Sequence, residues 1–436
     1  MTATGGRNRV DWPAMVALAA AMLAATSIVA WLLSPAARAD DLPDVAEDDS
    51  GNAQFVWRFP LGARQVVAER AFASQTLTDP DSLSFLNRVA QAPEVDSAAD
   101  GTATAVWDDS TSGHAQARRR FVDGAHSRII DISGATVAKG ATHVAVASNG
   151  DAAMTWIRTN GTGHQVLQTR TLKADGTLTA IHGVSPSDQN ASNVAVAAAP
   201  NGDATYAWVV SAYPVSHMQT RTRAATGVLG AIQDASDPIK STSEVGVGVD
   251  ASGNATFVWI SSDGGPSIIK TRRRTAAGTL GAIQDLTPAG SNQTRARVAV
   301  NANDQAAFAW VDRPGSFSVV RTRTRDAAGT LTALQSVSAT DDDGSEPSIG
   351  IDGAGVVSYA WARSDSVVHD QTRTRLATGA LTGILNLSDT TTSASAPRTA
   401  VAPNGDAAFV WSRAGIVEAR LFESGAGLGP VVPISS

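Results

Sequence analysis

Apolar and polar residues alternate in short runs along most of this chain, and the runs recur in a fixed order. Around Trp310 that order reads "RVAVN" (297–301), "QAAFAW" (305–310), "VVRTRTR" (319–325) and "LTALQSV" (331–337). β-branched residues, period-two alternation and Gly, Asn or Asp between the runs predict four strands, denoted A to D. Strand B closes on a tryptophan, and the phrase leading into it is repeated: "PNGDATYAW" (200–208), "ASGNATFVW" (251–259), "PNGDAAFVW" (403–411).

Aligned on that residue, the chain carries Trp57, Trp107, Trp156, Trp208, Trp259, Trp310, Trp361 and Trp411, about fifty residues apart, a period that signals a repeat architecture. Four antiparallel strands per unit, eight units and no helix between them predict an all-β fold, an eight-bladed β-propeller over residues 40–436. A β-solenoid is the alternative. The A-to-B turn carries Gly51, Gly101, Gly150, Gly202, Gly253, Gly355 and Gly405, with Asp304 in the remaining unit, as a tight hairpin with positive φ requires. In strand A, as in "EVGVGV" (244–249), bulky Val alternates with Gly, so one face is bare enough to admit the next blade. The tryptophans are expected to be buried between blades. The aspartate of "NGDA" is replaced in other units by Asn, Thr, Gln or Val, which argues against a catalytic acid there.

Composition narrows the setting. With 43% hydrophobic and 17% charged residues the chain is a folded one. A net charge of -7 gives no general field for phosphates, so nucleic acid is not an expected partner. Zero cysteines exclude disulfides, thiolate metal sites and a thiol nucleophile. Residues 1–39 read as a signal peptide or N-terminal anchor: Arg7 and Arg9, an apolar run from Met15 to Leu33, then Ala37-Arg38-Ala39. The expected location is therefore secreted, extracellular or cell-surface, with membrane contact only if that segment stays uncleaved.

"VDASGNATFVW" (249–259) followed by "IIKTRRR" (268–274) resembles the NHL-type and related repeats of secreted bacterial propellers, over nearly the whole chain after the N-terminal segment. The resemblance implies a fold and no activity. It departs from the NHL pattern at Trp259, where that pattern carries an acidic residue, and in its eight units. The sialidase Asp-box is not matched, since Trp208 follows Gly202 by six positions instead of three.

One arginine recurs in every strand C: Arg70, Arg118, Arg170, Arg221, Arg272, Arg323, Arg373 and Arg420. A residue present in every blade is expected to brace the ring through turn carbonyls or the tryptophans. Arg223, Arg325 and Arg375, two positions on, read likewise. His114, His217 and His369 stand four residues before that arginine in units too far apart to share a metal. The acidic run Asp341 to Glu346 lacks the alternating spacing of calcium loops, so no cofactor is expected and calcium is the alternative there.

The B-to-C and D-to-A connections emerge at one end of the ring and vary in length and chemistry, whereas the opposite turns are monotonous. Variable loops on a rigid scaffold are where binding sits. The candidate ligand-binding residues are therefore Tyr213, His217, Phe317, Asp341, Asp342 and Asp343. The expected function is a monomeric binding or scaffolding module for a glycan, peptide or protein partner at the cell envelope. A glycan-active hydrolase or lyase is the alternative, to be recognised by charged residues converging at one mouth of the axial channel.

Overall fold

The structure is a computed structural model that describes residues 41–435 apart from 135–137, 139, 212–214, 263 and 289–291. The N-terminal signal or anchor lies outside the described residues. Eight antiparallel sheets follow one another along the chain, each a meander of consecutive strands, and the eight-bladed propeller expected from the repeat is what forms. Blades 1 to 8 begin with strands A at Asp41–Glu47, Ala90–Ser97, His143–Val146, Asn190–Ala198, Ser241–Val249, Asn292–Val300, Asp343–Ile351 and Ala394–Val401. In blade 5 the strand after A is Ala255–Ser262 (B), then Ile268–Arg274 (C) and Gln284–Asp285 (D). Strand A of every blade packs against strand A of both neighbours, blade 8 against blade 1 included, so the ring closes around one axis and the solenoid is excluded.

Strand D differs from expectation. The run 331–337 contributes only Gln335–Ser336 and an isolated bridge from Leu331 to Arg325. A short outermost strand limits the row of unpaired backbone groups that would otherwise invite edge-to-edge association.

All eight strand-B tryptophans are fully buried. Each fills the gap to the preceding blade: Trp259 packs on Ala207, Met218 and Ala235, Trp310 on Val258, Ile260, Ile269 and Leu286. The small residues of strand A make that approach possible. A methyl placed on Gly248 would lie 2.7 Å from Val300 Cγ2 in the next blade, and Gly350 faces Val401 in the same way. The turns are as the sequence demands, with φ of 82° at Gly253 and 58° at Asp304.

The recurring arginines are circumferential clips. Nε of Arg221, Arg272, Arg323 and Arg420 donates to the carbonyl of Gly230, Gly281, Thr332 and Gly429 of its own blade, each at 2.7 Å. Nη1 of Arg221, Arg272 and Arg323 reaches back 3.2 Å to the carbonyls of Val184, Ala235 and Leu286, the residues directly after strand D of the preceding blade. Arg70 does the same across the closing seam, donating to Ile434 at 3.1 Å. Among the described residues no strand is shared there: blade 1 is built from the first strands and blade 8 from the last.

One inter-blade position breaks the pattern. The residue paired with the one after the tryptophan is Leu167, Met218, Ile269 or Val320 in blades 3 to 6, but in blade 7 it is Asp370, opposite Ala362. Asp370 is fully buried with neither carboxylate oxygen hydrogen-bonded, and burial pushes its pKa up to about 8.

Two outcomes follow from this packing. Trp259→Ala should destabilise the ring by about 3 to 5 kcal/mol in urea unfolding through the cavity it leaves; an unchanged midpoint would show that the indole does not hold the interface. For Asp370 the folded-state pKa is raised, so stability is lost as pH climbs from the ordinary carboxylate range toward 8. Asp370→Val should therefore raise the melting temperature, by more at pH 8 than at pH 5, and a gain independent of pH would contradict the assignment.

Candidate functional site

Strand A is the inner edge of each sheet, and its chemistry depends on where its backbone turns the side chains. Near its start a bulge breaks the register with strand B, as between Ser243 and Gly246 or Thr294 and Arg297. The bulge residue takes positive φ without being glycine at Ala92, Asn193, Glu244, Arg295 and Glu346, and Ala141, just before strand A of blade 3, does the same. Bulges re-aim side chains, and these residues stand at the channel mouth on the side of the D-to-A and B-to-C connections. Three of them are linked across blades 5 to 7. Glu244 Oε2 accepts from the Arg295 backbone N–H at 2.5 Å, and Arg295 Nη2 lies 2.8 Å from Glu346 Oε1.

Further in, the residue opposite the one preceding each tryptophan forms a ring around the axis. In blade order it is Asp44, Glu94, His143, Ala195, Gly246, Arg297, Ser348 and Arg398. The repeat requires only a small residue here, as Ala195 and Gly246 show. The others are charged or polar, and they are segregated. Asp44, Glu94 and His143 make an acidic arc on blades 1 to 3, and Arg297 and Arg398 flank Ser348 on blades 6 to 8.

The acidic arc is held by the free N–H groups of the inner edges. Asp44 Oδ2 accepts from Val95 at 3.0 Å, Glu94 Oε1 from Val144 at 3.1 Å, and Asp96, two residues deeper, from Val146 at 2.7 Å. Glu94 Oε2 also meets His143 Nδ1 at 2.7 Å. Burial, then the charge of Glu94, pushes Asp44 up to about 7; burial does the same for Asp96. For His143 burial pulls the pKa down, but the charge of Glu94 and its hydrogen bond together outweigh that and hold it above the usual value. The basic arc is unlike this. Arg297 Nη1 donates to its neighbour Ala296 O at 3.0 Å and Arg398 Nη1 to Pro397 O at 3.3 Å. Among the described residues neither guanidinium has a carboxylate within ion-pair distance.

The residues picked out from the sequence lie on the same face but farther out. Tyr213 is outside the described residues. His217 pairs with Asp234 of its own blade at 3.2 Å, and Asp342 with Arg363 at 2.7 Å. Asp343 caps the Ser318 N–H at 2.7 Å and so fixes the loop that presents Phe317, which is 43% exposed; Asp341 is exposed beside it. Phe317 and Asp341 to Asp343 thus come together across blades 6 and 7, and His217, on blade 4, does not join them. His114 pairs with Asp131 at 3.6 Å, whereas His369 is buried and bonded to Val367 O. Among the described residues no group of three His, Cys, Asp or Glu side chains is placed to hold a metal ion.

Sequence reasoning passed over the inner ring although a signal was present: charged residues at a strand-A position where other units carry Gly or Ala. A cleft of about 340 Å³ also opens on the opposite face, at the seam of blades 8 and 1. Of its polar lining, Asn52 and Asp406 are engaged in the hairpin turns themselves, and Gln75 meets Glu423 across the seam.

No protein-family model matches the chain, and no curated protein sequence is significantly similar to it. Solved structures do share its architecture. The BP39L lectin from Burkholderia pseudomallei aligns with a TM-score of 0.55 and 11% identity, over 80% of this chain and 100% of that one. The β-propeller domain of the Trilobed protease from Pyrococcus furiosus, described as having an open velcro topology, gives 0.51 and 6%, over 81% and 99%. The PL25 ulvan lyase, a polysaccharide lyase bound to -[GlcA(1-4)Rha3S]-, gives 0.50 and 10%, over 78% and 94%. At such identities the likeness is one of fold.

The raised pKa of Asp96 has a measurable consequence. It moves from 3.8 to about 7 on folding, so the stability present at low pH is lost as pH rises through that interval. Asp96→Asn retains an acceptor for Val146 and removes the titration. Its melting temperature relative to the natural chain should climb between pH 4 and pH 7; a constant difference would mean that Asp96 is not walled in by protein.

Proposed function

We propose that this protein is an exported binding propeller that holds a glycan at the channel mouth on its variable face. The observation that carries this is the convergence on the axis of charged residues the repeat does not need: Asp44, Glu94, His143, Glu244, Arg295, Arg297, Glu346 and Arg398. Carboxylates and guanidinium groups lining a concave rigid site are what hydroxyl-rich ligands require. Phe85 and Phe317, each 43% exposed, stand on the same face and offer apolar surfaces for sugar rings. A lectin and a polysaccharide lyase among proteins of the same fold support the reading. Export rests on the N-terminal segment with its apolar run from Met15 to Leu33.

A second reading has its own support. Asp44, pushed up to about 7, stands beside Glu94 and the Glu94-bonded His143, giving a proton donor and acceptor within one arc, as a glycan hydrolase or lyase needs.

A glycan array probed with the purified chain tests the first reading. The double variant Arg295→Ala, Glu346→Ala should lose at least about fivefold in affinity for any bound glycan, since charge-assisted contacts are the stronger ones. Asp175→Ala, in an exposed turn on the opposite face, should bind unchanged. Loss confined to the opposite-face variant would refute the proposal. Release of new reducing ends, or of unsaturated sugar products, from the bound glycan would convert it to the second reading.

A further inference from the structure

Among the described residues the basic arc of the inner ring has no carboxylate within ion-pair distance. Arg295, at the rim, is spent on Glu346 at 2.8 Å. Arg297 and Arg398 are not. They project from blades 6 and 8, on either side of Ser348, and donate only to the carbonyls of Ala296 and Pro397 beside them. The groups that face them are Arg295, Glu244 and Glu346 at the rim and Asp44 on blade 1, none within ion-pair distance. Asp44 is itself engaged by the Val95 N–H. The two guanidinium groups repel each other, and burial weakens the hydration of Arg297. Burial, then Arg398, lowers the pKa of Arg297 accordingly. A bound anion removes that penalty, and a planar carboxylate suits the guanidinium fork.

The rest of the lumen limits what kind of anion enters. Across the axis from Arg297 stand Glu94 and Asp96, Asp44 lies beside Arg398 on the adjoining blade, and the chain as a whole carries a net charge of -7. A densely sulfated or phosphorylated polymer would be repelled by that wall. A unit with one carboxylate and several hydroxyls would not, because hydroxyl groups donate to carboxylates. Resting on the glycan reading above, we infer that the site takes a uronate-bearing glycan, its carboxylate held between Arg297 and Arg398 and its ring hydroxyls turned toward the Asp44–Glu94–His143 arc.

The test uses the full chain and three probes in isothermal titration: a glucuronate oligosaccharide, the same oligosaccharide with its carboxyls reduced to alcohols, and a sulfated neutral glucan. The glucuronate oligosaccharide should bind at least about tenfold more tightly than its reduced form. Arg297→Gln and Arg398→Gln should each abolish that preference, and Arg398→Lys should restore part of it. Because among the described residues neither arginine has a carboxylate within ion-pair distance and each bonds only a carbonyl beside it, the Gln variants should melt close to the natural chain's temperature, so lost binding is not lost folding. Equal affinity for the acidic and reduced forms, or a preference that survives both Gln substitutions, would overturn the inference while leaving glycan binding intact. Equal affinity for the sulfated glucan would overturn it in favour of general anion capture. Failure of every glycan, acidic or neutral, would remove the parent reading as well.

Discussion

The ring exists because each sheet can bury one whole face against the next, and the face-to-face gap has a fixed width. A tryptophan fills that gap at every interface, and small residues on strand A, such as Gly248 opposite Val300, let the inner edges close in far enough for it to do so. The recurring arginine then ties the outer parts of the same interface, joining its own C-to-D turn to strand D of the preceding blade. Among the described residues no strand crosses the seam between blades 8 and 1, so packing and side-chain bonds of this kind close the circle there. Trp57 packs on Ala408, Val410 and Val417, and Arg70 reaches Ile434.

That architecture creates a problem at the centre and a site along with it. Eight inner strands present unpaired N–H groups to the axis, and a buried donor without a partner is costly. Blades 1 and 2 answer with carboxylates that reach the next blade, as Asp44 does for Val95 and Asp96 for Val146. The same crowding that brings those groups together strips water from the acids and drives their pKa values up. Blades 6 and 8 place arginines at the equivalent position with no such structural bond to the neighbouring blade. The inner ring is therefore polarised, with a braced acidic arc on blades 1 to 3 and, on blades 6 and 8, arginines that among the described residues have no carboxylate within ion-pair distance.

The variable face is where the charged residues converge, but the centre of that convergence is the axis and not the loops. Phe317 and Asp343 belong to one braced loop on blades 6 and 7; Asp342 is occupied by Arg363, and His217 by Asp234 two blades away. Loop variety pointed to the end of the ring at which the inner charged residues also gather. It did not mark the residues that meet, because loops on different blades diverge outward while the inner strands all approach one line.

The repeat was legible from the sequence because it is imposed locally: positive φ at the A-to-B turn selects Gly253 or Asp304, alternation selects the strand faces, and a gap of constant width selects Trp in every unit. The recurring arginine could be read as a brace for the same reason, since whatever every blade carries serves every interface. Strand D was overread, as pattern alone cannot tell a paired strand from an edge that mostly follows its neighbour. The inner ring was a matter for the tertiary structure. Asp44 and Arg398 are more than three hundred and fifty positions apart and become neighbours only when the ring closes. The bulge that turns their side chains to the axis depends on register with strand B, and Asp370 counts as an anomaly only once the next blade covers it.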